Sequence, residues 1–315
     1  MSSAILVTGK VPGEWLSDIK NIARLTVWEG EQYLMPRKYL LEIIQDYDAL
    51  INFAEVKADI ELVQKASKLK IIANCSIGFD NLNLPLLTEN KIWASNAPGF
   101  FNYPVAEYVL SGMLTVTRRI LEADDFLRKG KWKEFEPGRW DGISLKDKIV
   151  GLVGLGTIGK VLRTMLLGLG VNVIYHTPIP KEEKGWVPFE ELIRVADIIS
   201  IHVPLTPSTA NLFDHEVIKK VKPGAIIVNT SRGGIVDQDA LVKALDSGFV
   251  GGAVLDVFRD EPNVPIELLQ MKNVILTPHI AGGTRYAREA CVKRAVENVR
   301  AALKNEKPVN ALNQL

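Results

Sequence analysis

Four stretches of this 315-residue chain carry side chains whose types and spacing suit chemistry. The first is Gly154-Leu155-Gly156-Thr157-Ile158-Gly159, which follows the apolar run Ile149–Val153 and precedes a helical pattern from Lys160 to Leu169. Glycines at this spacing close a tight turn and let a backbone approach a pyrophosphate, while the helix behind them offers amide donors and the positive end of its dipole. With a strand before and a helix after, the pattern predicts dinucleotide binding by Gly154, Gly156, Thr157, Ile158 and Gly159.

The other three stretches hold Arg232 in Asn229-Thr230-Ser231-Arg232-Gly233-Gly234, Glu261 in Phe258-Arg259-Asp260-Glu261-Pro262, and His279 in Thr277-Pro278-His279-Ile280-Ala281-Gly282. Each follows an apolar run that reads as a buried strand, and open α/β sheets bind ligands beyond the carboxyl ends of their strands. A guanidinium, a carboxylate and an imidazole are therefore expected on the sheet edge that carries the glycine loop. A histidine held protonated by a carboxylate is a general acid toward a carbonyl oxygen near neutral pH, and an arginine anchors a carboxylate bidentately. This set suits hydride transfer to a keto acid. Taken singly, each residue has a structural explanation, because Arg–Glu pairs and strand-end histidines also occur without catalysis.

The remaining histidines differ. His202 lies inside an apolar strand and is expected as a hydrogen-bonded core residue; His215, in a charged helical stretch, is expected in solvent. Asp237 and Asp239 read as N-terminal helix caps. A carboxylate for a ribose hydroxyl should lie about 20 residues beyond the glycine loop. That place reads Tyr175-His176-Thr177-Pro178 instead. Without the acid nothing repels a 2′-phosphate, and His176, Lys181 and Lys184 offer positive charge, whereas Thr177 could bond a ribose hydroxyl. NADP and NAD both fit, with the balance toward NADP. After Ile198–Val203, Pro204-Leu205-Thr206-Pro207 reads as a rigid rim suited to an adenine face, with Val203 and Pro204 expected to bind the cofactor.

The elements that must position these residues alternate between β-type runs and helical patterns. Ala4–Val7, Ala49–Phe53, Ile71–Ala73 and Ile92–Ala94, separated by amphipathic segments such as Pro36–Gln45 and Ile60–Ser67, predict a first doubly wound sheet. Asn96-Ala97-Pro98-Gly99 reads as a hinge, and Asn102 opens what reads as one long helix to about Lys129. Ile149–Val153, Val171–Tyr175, Ile198–Val203, Ala225–Asn229, Ala253–Val257 and Val274–Leu276 predict a second sheet. A final helix, Arg285–Lys304, aligns Ala287, Cys291, Ala295, Val299 and Ala302 on one face and is expected to return to the first domain. The expected fold is α/β with two doubly wound parallel-sheet domains: a flavodoxin-like substrate domain, 1–97 plus 285–315, and a Rossmann dinucleotide-binding domain, 98–284.

Composition narrows the partners. A hydrophobic content of 47% over this length supports two cores. A net charge of +1 without a polybasic run speaks against nucleic acid and anionic membrane surfaces. Cys75 and Cys291, far apart, suggest neither a disulfide framework nor a metal site. No apolar stretch reaches the ~18 residues of a span, and a cytoplasmic location is expected.

Along essentially its whole length the chain closely resembles the D-isomer-specific 2-hydroxyacid dehydrogenase family. The resemblance rests on the Gly154–Gly159 loop, Asn229-Thr230-Ser231-Arg232-Gly233-Gly234-Ile235-Val236-Asp237, Leu255-Asp256-Val257-Phe258 with Glu261-Pro262, and Thr277-Pro278-His279-Ile280-Ala281-Gly282. It implies NAD(P)H-dependent reduction of a small 2-keto acid, of glyoxylate or hydroxypyruvate type, to the D-2-hydroxy acid. By that resemblance Arg232 binds the substrate carboxylate and carbonyl, Glu261 tunes His279, and His279 exchanges the proton. Asp256 would contact the nicotinamide amide, with Thr230, Ser231 and Gly282 also beside the cofactor. Cys75-Ser76-Ile77-Gly78-Phe79-Asp80 matches the family's substrate loop, so the amides of Ser76, Ile77 and Gly78 would hold the carboxylate from the first domain. Asn102-Tyr103-Pro104-Val105-Ala106-Glu107 would set Val105 against the nicotinamide.

Phe53, Ala54 and Phe100 are expected as pocket walls in a cleft that closes about the hinge. The family also implies a homodimer through the dinucleotide-binding domain, with the Trp132–Trp140 stretch near the interface. The chain departs from the family at Thr177, where many members carry aspartate, and in Pro178–Trp186, which lacks the arginine common in NADP users. Lack of a C-terminal regulatory extension sets the long phosphoglycerate dehydrogenases aside. Lack of an extended N-terminal region and of a lysine in the Ser76–Gly78 loop does the same for the formate and phosphite enzymes. The alternative from another class is a non-catalytic, dinucleotide-sensing corepressor-like protein, against which stands the lack of an added interaction segment.

Overall fold

The computed structural model describes residues 3–53 and 56–315, so Ala54, expected as a pocket wall, lies outside the described residues. The chain forms two compact units, Met1–Phe101 with Gly283–Leu315, and Asn102–Gly282. Both are parallel-sheet α/β folds.

In the first unit five strands, β1 (Ala4–Val7), β2 (Arg24–Val27), β3 (Ala49–Asn52), β4 (Ile71–Asn74) and β5 (Trp93–Ser95), pair in the order β2-β1-β3-β4-β5. Side chains alternate across a strand, so Leu6, Leu50 and Ile72 enter one core with Leu40 and Leu62, while Ile5, Ile51 and Ile71 enter the opposite one. The Arg285–Leu303 helix covers that second face with Val292, Ala295, Val296 and Val299. All five residues read as its apolar face are buried. Strand β2 was not predicted, because Arg24 and Thr26 interrupt its apolar run at a sheet edge where only one side is paired. The first unit ends at Phe101 and resumes at Gly283, against expected limits of 97 and 285. Asn298 Nδ2 donates to the Asn96 carbonyl at 3.2 Å, and the Arg294 guanidinium lies 5.3 Å from the Phe100 ring, which ties the hinge segment to this unit.

In the second unit β6 (Ile149–Val153), β7 (Asn172–His176), β8 (Ile198–Ile201), β9 (Ile226–Asn229), β10 (Gly252–Leu255) and β11 (Val274–Leu276) pair in the order β11-β10-β9-β8-β6-β7. Strand β6 has β7 on one side and β8 on the other, so the winding reverses there, and such switch points open a crevice at the strands' carboxyl ends. The helix predicted from Asn102 to about Lys129 is two helices, Asn102–Thr117 and Ile120–Arg128. The break arises because Ile143 N takes the Thr117 carbonyl at 2.8 Å and Arg119 turns left-handed at φ +52°.

Candidate active site

The second unit brings His279, Glu261, Arg232 and Asp256 together from the ends of β9, β10 and β11. His279 sits at φ +53°, a region that costs a non-glycine residue about 1–3 kcal/mol and persists only where its surroundings enforce it. Asp256 enforces it. Its carbonyl accepts from His279 N at 2.9 Å, and its carboxylate accepts from Ile280 N at 2.8 Å, Ala281 N at 2.7 Å and the Thr277 hydroxyl at 2.5 Å. Tyr108, on the Asn102–Thr117 helix, extends this chain through its hydroxyl to Thr277. The expected contact between Asp256 and a nicotinamide amide finds no exposed carboxylate here: the residue is 0% exposed and both oxygens serve the His279 turn.

That turn leaves the His279 side chain 51% exposed, with Nδ1 2.8 Å from Glu261 Oε2. Glu261 is aimed by Phe258 N, which donates to its Oε1 at 3.0 Å. The hydrogen bond and negative charge of Glu261 raise the His279 pKa above the ordinary imidazole value, against the opposing effects of burial and of Arg232. Burial by itself would raise Glu261, yet the His279 hydrogen bond and charge, the Phe258 amide and the Arg232 charge hold it below the usual glutamate value. With Nδ1–H committed to a carboxylate, Nε2 is a bare acceptor in the neutral ring and a donor in the imidazolium. It can thus give or take one proton.

Arg232 follows β9 in an extended conformation, its Nη1 on the Ser231 carbonyl at 2.8 Å and its own carbonyl accepting from Asn229 Nδ2 at 2.9 Å. The turn after it requires glycine: a Cβ on Gly233 would lie 2.0 Å from the Phe258 carbonyl carbon. This close approach sets the Arg232 turn against the segment that carries Glu261.

The glycine loop joins β6 to the Thr157–Gly168 helix. Cβ atoms added at Gly154 and Gly159 would fall 2.6 Å from the carbonyl oxygens of His202 and Gly154, so internal packing demands these two glycines. A Cβ at Gly156 meets nothing within 4 Å. No side chain caps the helix, and Thr157 Oγ1 instead donates to Asn102 Oδ1 at 3.1 Å. An open approach over Gly156 onto uncapped amides fits a pyrophosphate.

Residues 110–281 match the model of the D-isomer specific 2-hydroxyacid dehydrogenase NAD-binding domain. The chain belongs to the D-isomer specific 2-hydroxyacid dehydrogenase family. It is similar to a glyoxylate reductase of Thermococcus litoralis, 39% identical over 100% of this chain and 98% of that one. A protein of Thermus thermophilus superposes with a TM-score of 0.93 at 36% identity, over 98% of this chain and 99% of the other. An NADPH-dependent glyoxylate/hydroxypyruvate reductase of Sinorhizobium meliloti, solved with NADP and malonate, superposes at 0.85 with 29% identity, over 99% and 97%. The chain is an NAD(P)-dependent oxidoreductase.

Other residues expected beside the dinucleotide of this dehydrogenase lie at the ends of the same sheet's strands or on the Asn102–Thr117 and Thr157–Gly168 helices. Val203 and Pro204 follow β8, and the Val203 side chain would stand 3.0 Å from a Cβ on Gly154. Ser231 Oγ donates to the Ile201 carbonyl at 2.8 Å, linking the ends of β8 and β9. Thr230 and Gly282 are half-buried at the ends of β9 and of the His279 turn, Ile158 is half-buried in the loop helix, and Val105 is 8% exposed on the Asn102–Thr117 helix. Thr177 is buried and spends its hydroxyl proton on the Ile179 carbonyl at 2.7 Å, so its hydroxyl is not left to donate to a ribose. His176 is turned away from the loop, with Nδ1 3.1 Å from the Val187 carbonyl and its ring against Trp186 and Phe189.

His202 is hydrogen-bonded to Ser200 Oγ at 2.8 Å, and burial lowers its pKa to about 4, which keeps it neutral. His215 is exposed. Asp237 caps its helix by accepting from Asp239 N and Ala240 N, while Asp239 pairs with Arg259. Among the described residues no cluster of metal-ligating side chains occurs, and no helix is long and apolar enough to cross a membrane.

In the first unit, considered by itself, the loop after β4 has its carbonyls drawn inward. Ala97 N donates to the Ser76 carbonyl at 2.9 Å, Asn96 Nδ2 to Ile77 at 2.7 Å, and Ser76 Oγ and Asn74 Nδ2 to Gly78 at 2.7 and 3.3 Å. Among the described residues the N–H groups of Ser76, Ile77 and Gly78 have no acceptor, an arrangement able to bind a carboxylate. Asn74, Asn96, Thr277 and Tyr108 were missed from sequence. Asparagines after strands could have signalled the first two, but Tyr108 and its partner lie 169 residues apart, with no local signal.

Proposed function

We propose that this dehydrogenase reduces a small 2-keto acid of the glyoxylate or hydroxypyruvate type to the D-2-hydroxy acid, with NADPH favoured over NADH. The observation that carries the reading is the His279–Glu261 pair, 2.8 Å apart beside Arg232, with Nε2 left available. Arg232 binds the substrate carboxylate through its planar fork of donors and polarises the neighbouring carbonyl. In this reading the amides of Ser76, Ile77 and Gly78 are the carboxylate donors of the first unit. The bound nicotinamide cofactor supplies the hydride. His279, protonated because Glu261 favours its charged form, gives its Nε2 proton to the carbonyl oxygen. Support for the substrate class comes from the relative named as a glyoxylate reductase and from the Sinorhizobium enzyme. Absorbance at 340 nm, followed with glyoxylate, hydroxypyruvate, pyruvate and phenylpyruvate against both reduced cofactors, tests it. Fastest turnover with glyoxylate or hydroxypyruvate is expected; tight cofactor binding with no turnover would indicate a sensor instead.

We further propose a homodimer through the dinucleotide-binding unit. The Ile120–Arg128 helix buries no residue of its own, yet it exposes Ile120, Leu121 and Leu127, and Trp132 and Phe135 beyond it are exposed as well. Apolar surface of this extent marks an interaction face. Sedimentation at the mass of one chain would count against it.

A further inference from the structure

We infer that Asn96, at the entry to the hinge segment, is a positioning residue for substrate: it locks the Ile77–Gly78 peptide so that the Gly78 N–H stays aimed at the substrate carboxylate. The inference rests on the reading above that the Ser76–Gly78 amides hold that carboxylate, and adds what keeps them in place.

A peptide unit is planar and trans, so its carbonyl and its N–H point in opposite directions. Whatever anchors a carbonyl therefore aims the next amide. The Ser76 carbonyl accepts from Ala97 N at 2.9 Å, which aims the Ile77 N–H, and the Ile77 carbonyl accepts from Asn96 Nδ2 at 2.7 Å, which aims the Gly78 N–H. The first anchor is main chain; the second is one side chain. Without that side chain the Ile77–Gly78 peptide can turn over, because the glycine on its far side sets little steric bar to the rotation. The turned peptide would offer the substrate a carbonyl oxygen in place of a donor, and that oxygen repels a carboxylate.

Asn96 is itself firmly seated. It is 7% exposed, its carbonyl accepts from Asn298 Nδ2 at 3.2 Å, and its N donates to the Asn310 carbonyl at 3.4 Å. Asn298 stands among the buried residues of the Arg285–Leu303 helix, 0% exposed, and its Oδ1 accepts from Asn310 N at 3.1 Å. An amide buried there costs free energy unless both of its ends are bonded. Both are, and one bond goes to the residue that carries the lock. Asn310 is fixed in turn by Arg294 Nη1, which donates to its Oδ1 at 2.9 Å. The Asn96 side chain thus departs from a backbone held at both its N–H and its carbonyl, which lets a single amide group set the direction of the Ile77–Gly78 peptide.

Steady-state reduction of glyoxylate at saturating NADPH by wild type, Asn96→Ala, Asn96→Asp and Asn313→Ala tests this, with the melting temperature and the NADPH dissociation constant of each protein as controls. Asn96→Ala should raise KM for glyoxylate about three- to tenfold, the size of one lost hydrogen bond, with kcat within about twofold, since binding is lost equally from ground and transition states. Asn96→Asp keeps the shape but not the donor, sets a carboxylate against the Ile77 carbonyl, and should raise KM about tenfold or more. Either Asn96 variant decides the matter if the other does not fold. Asn313, buried in the same unit, spends its side chain on Ala94, Thr88 and Ile92, none of them in the loop. Asn313→Ala should therefore lower the melting temperature yet leave KM within about twofold of wild type. An unmoved KM in the Asn96 variants, a rise in KM matched by Asn313→Ala, or a loss confined to kcat overturns the inference. A wild type that turns over neither glyoxylate nor hydroxypyruvate overturns the proposed function instead, and this inference with it.

Discussion

Glu261 Oε2 lies 2.8 Å from His279 Nδ1, and each residue holds the other in its charged form: the histidine is raised above its ordinary pKa and the glutamate lowered. In the proposed reaction reduction uses the imidazolium, so kcat for reduction should be high below the raised His279 pKa and fall as pH rises through it. Oxidation of the hydroxy acid needs the neutral ring and should show the reverse. Glu261→Gln removes the charge that raises His279, so the reduction limb should move to lower pH. An unmoved limb would show that Glu261 does not set it.

Arg232 is held extended after β9 by Asn229 and by the approach of Gly233 to Phe258. Arg232→Ala should lower kcat/KM for the keto acid roughly 10- to 100-fold, the size of a lost charge-assisted contact, with cofactor affinity changed little. Arg232→Lys should recover only part, because a point charge cannot reproduce the bidentate fork. Steady-state kinetics at saturating cofactor decides this.

Two glycines should respond in opposite ways to alanine. Gly156→Ala places its Cβ in open space and should melt near wild type while weakening dinucleotide binding. Gly233→Ala drives a Cβ into the Phe258 backbone and should lower the melting temperature by several degrees, as expected for a loss of about 1–3 kcal/mol to strain. Calorimetry with and without cofactor separates the two effects.

Asp256 clamps the left-handed His279 turn through Thr277, Ile280 and Ala281. Asp256→Ala leaves those buried donors unpaired and should destabilise the protein by about 1–3 kcal/mol per unsatisfied group while lowering kcat. Thr277→Val, which removes one link, should cost less in both. Equal melting temperatures for Asp256→Ala and wild type would contradict the clamp.

Much of this architecture was legible because strands buried on both faces read as continuous apolar runs: all six of the second sheet were placed to within two residues at each end. Strand β2 escaped because an edge strand can carry Arg24 and Thr26. The break before Ile120 escaped because it depends on Ile143 returning to the Thr117 carbonyl, which no local pattern records. Arg232, Glu261 and His279 were legible as polar residues just past apolar strands. The service of Asp256 to a strained turn and the Tyr108–Thr277 link depend on tertiary geometry, and residue type alone points elsewhere.

The most direct test of His279 as proton donor is single-turnover reduction of glyoxylate by His279→Gln and wild type, each preloaded with NADPH. If His279 supplies the proton, the variant should bind NADPH normally and lose about 10²- to 10⁴-fold in the rate of absorbance decay at 340 nm, with the high-pH inflection gone. A variant that reduces glyoxylate at the wild-type rate, with that inflection still present, would assign the proton to another group.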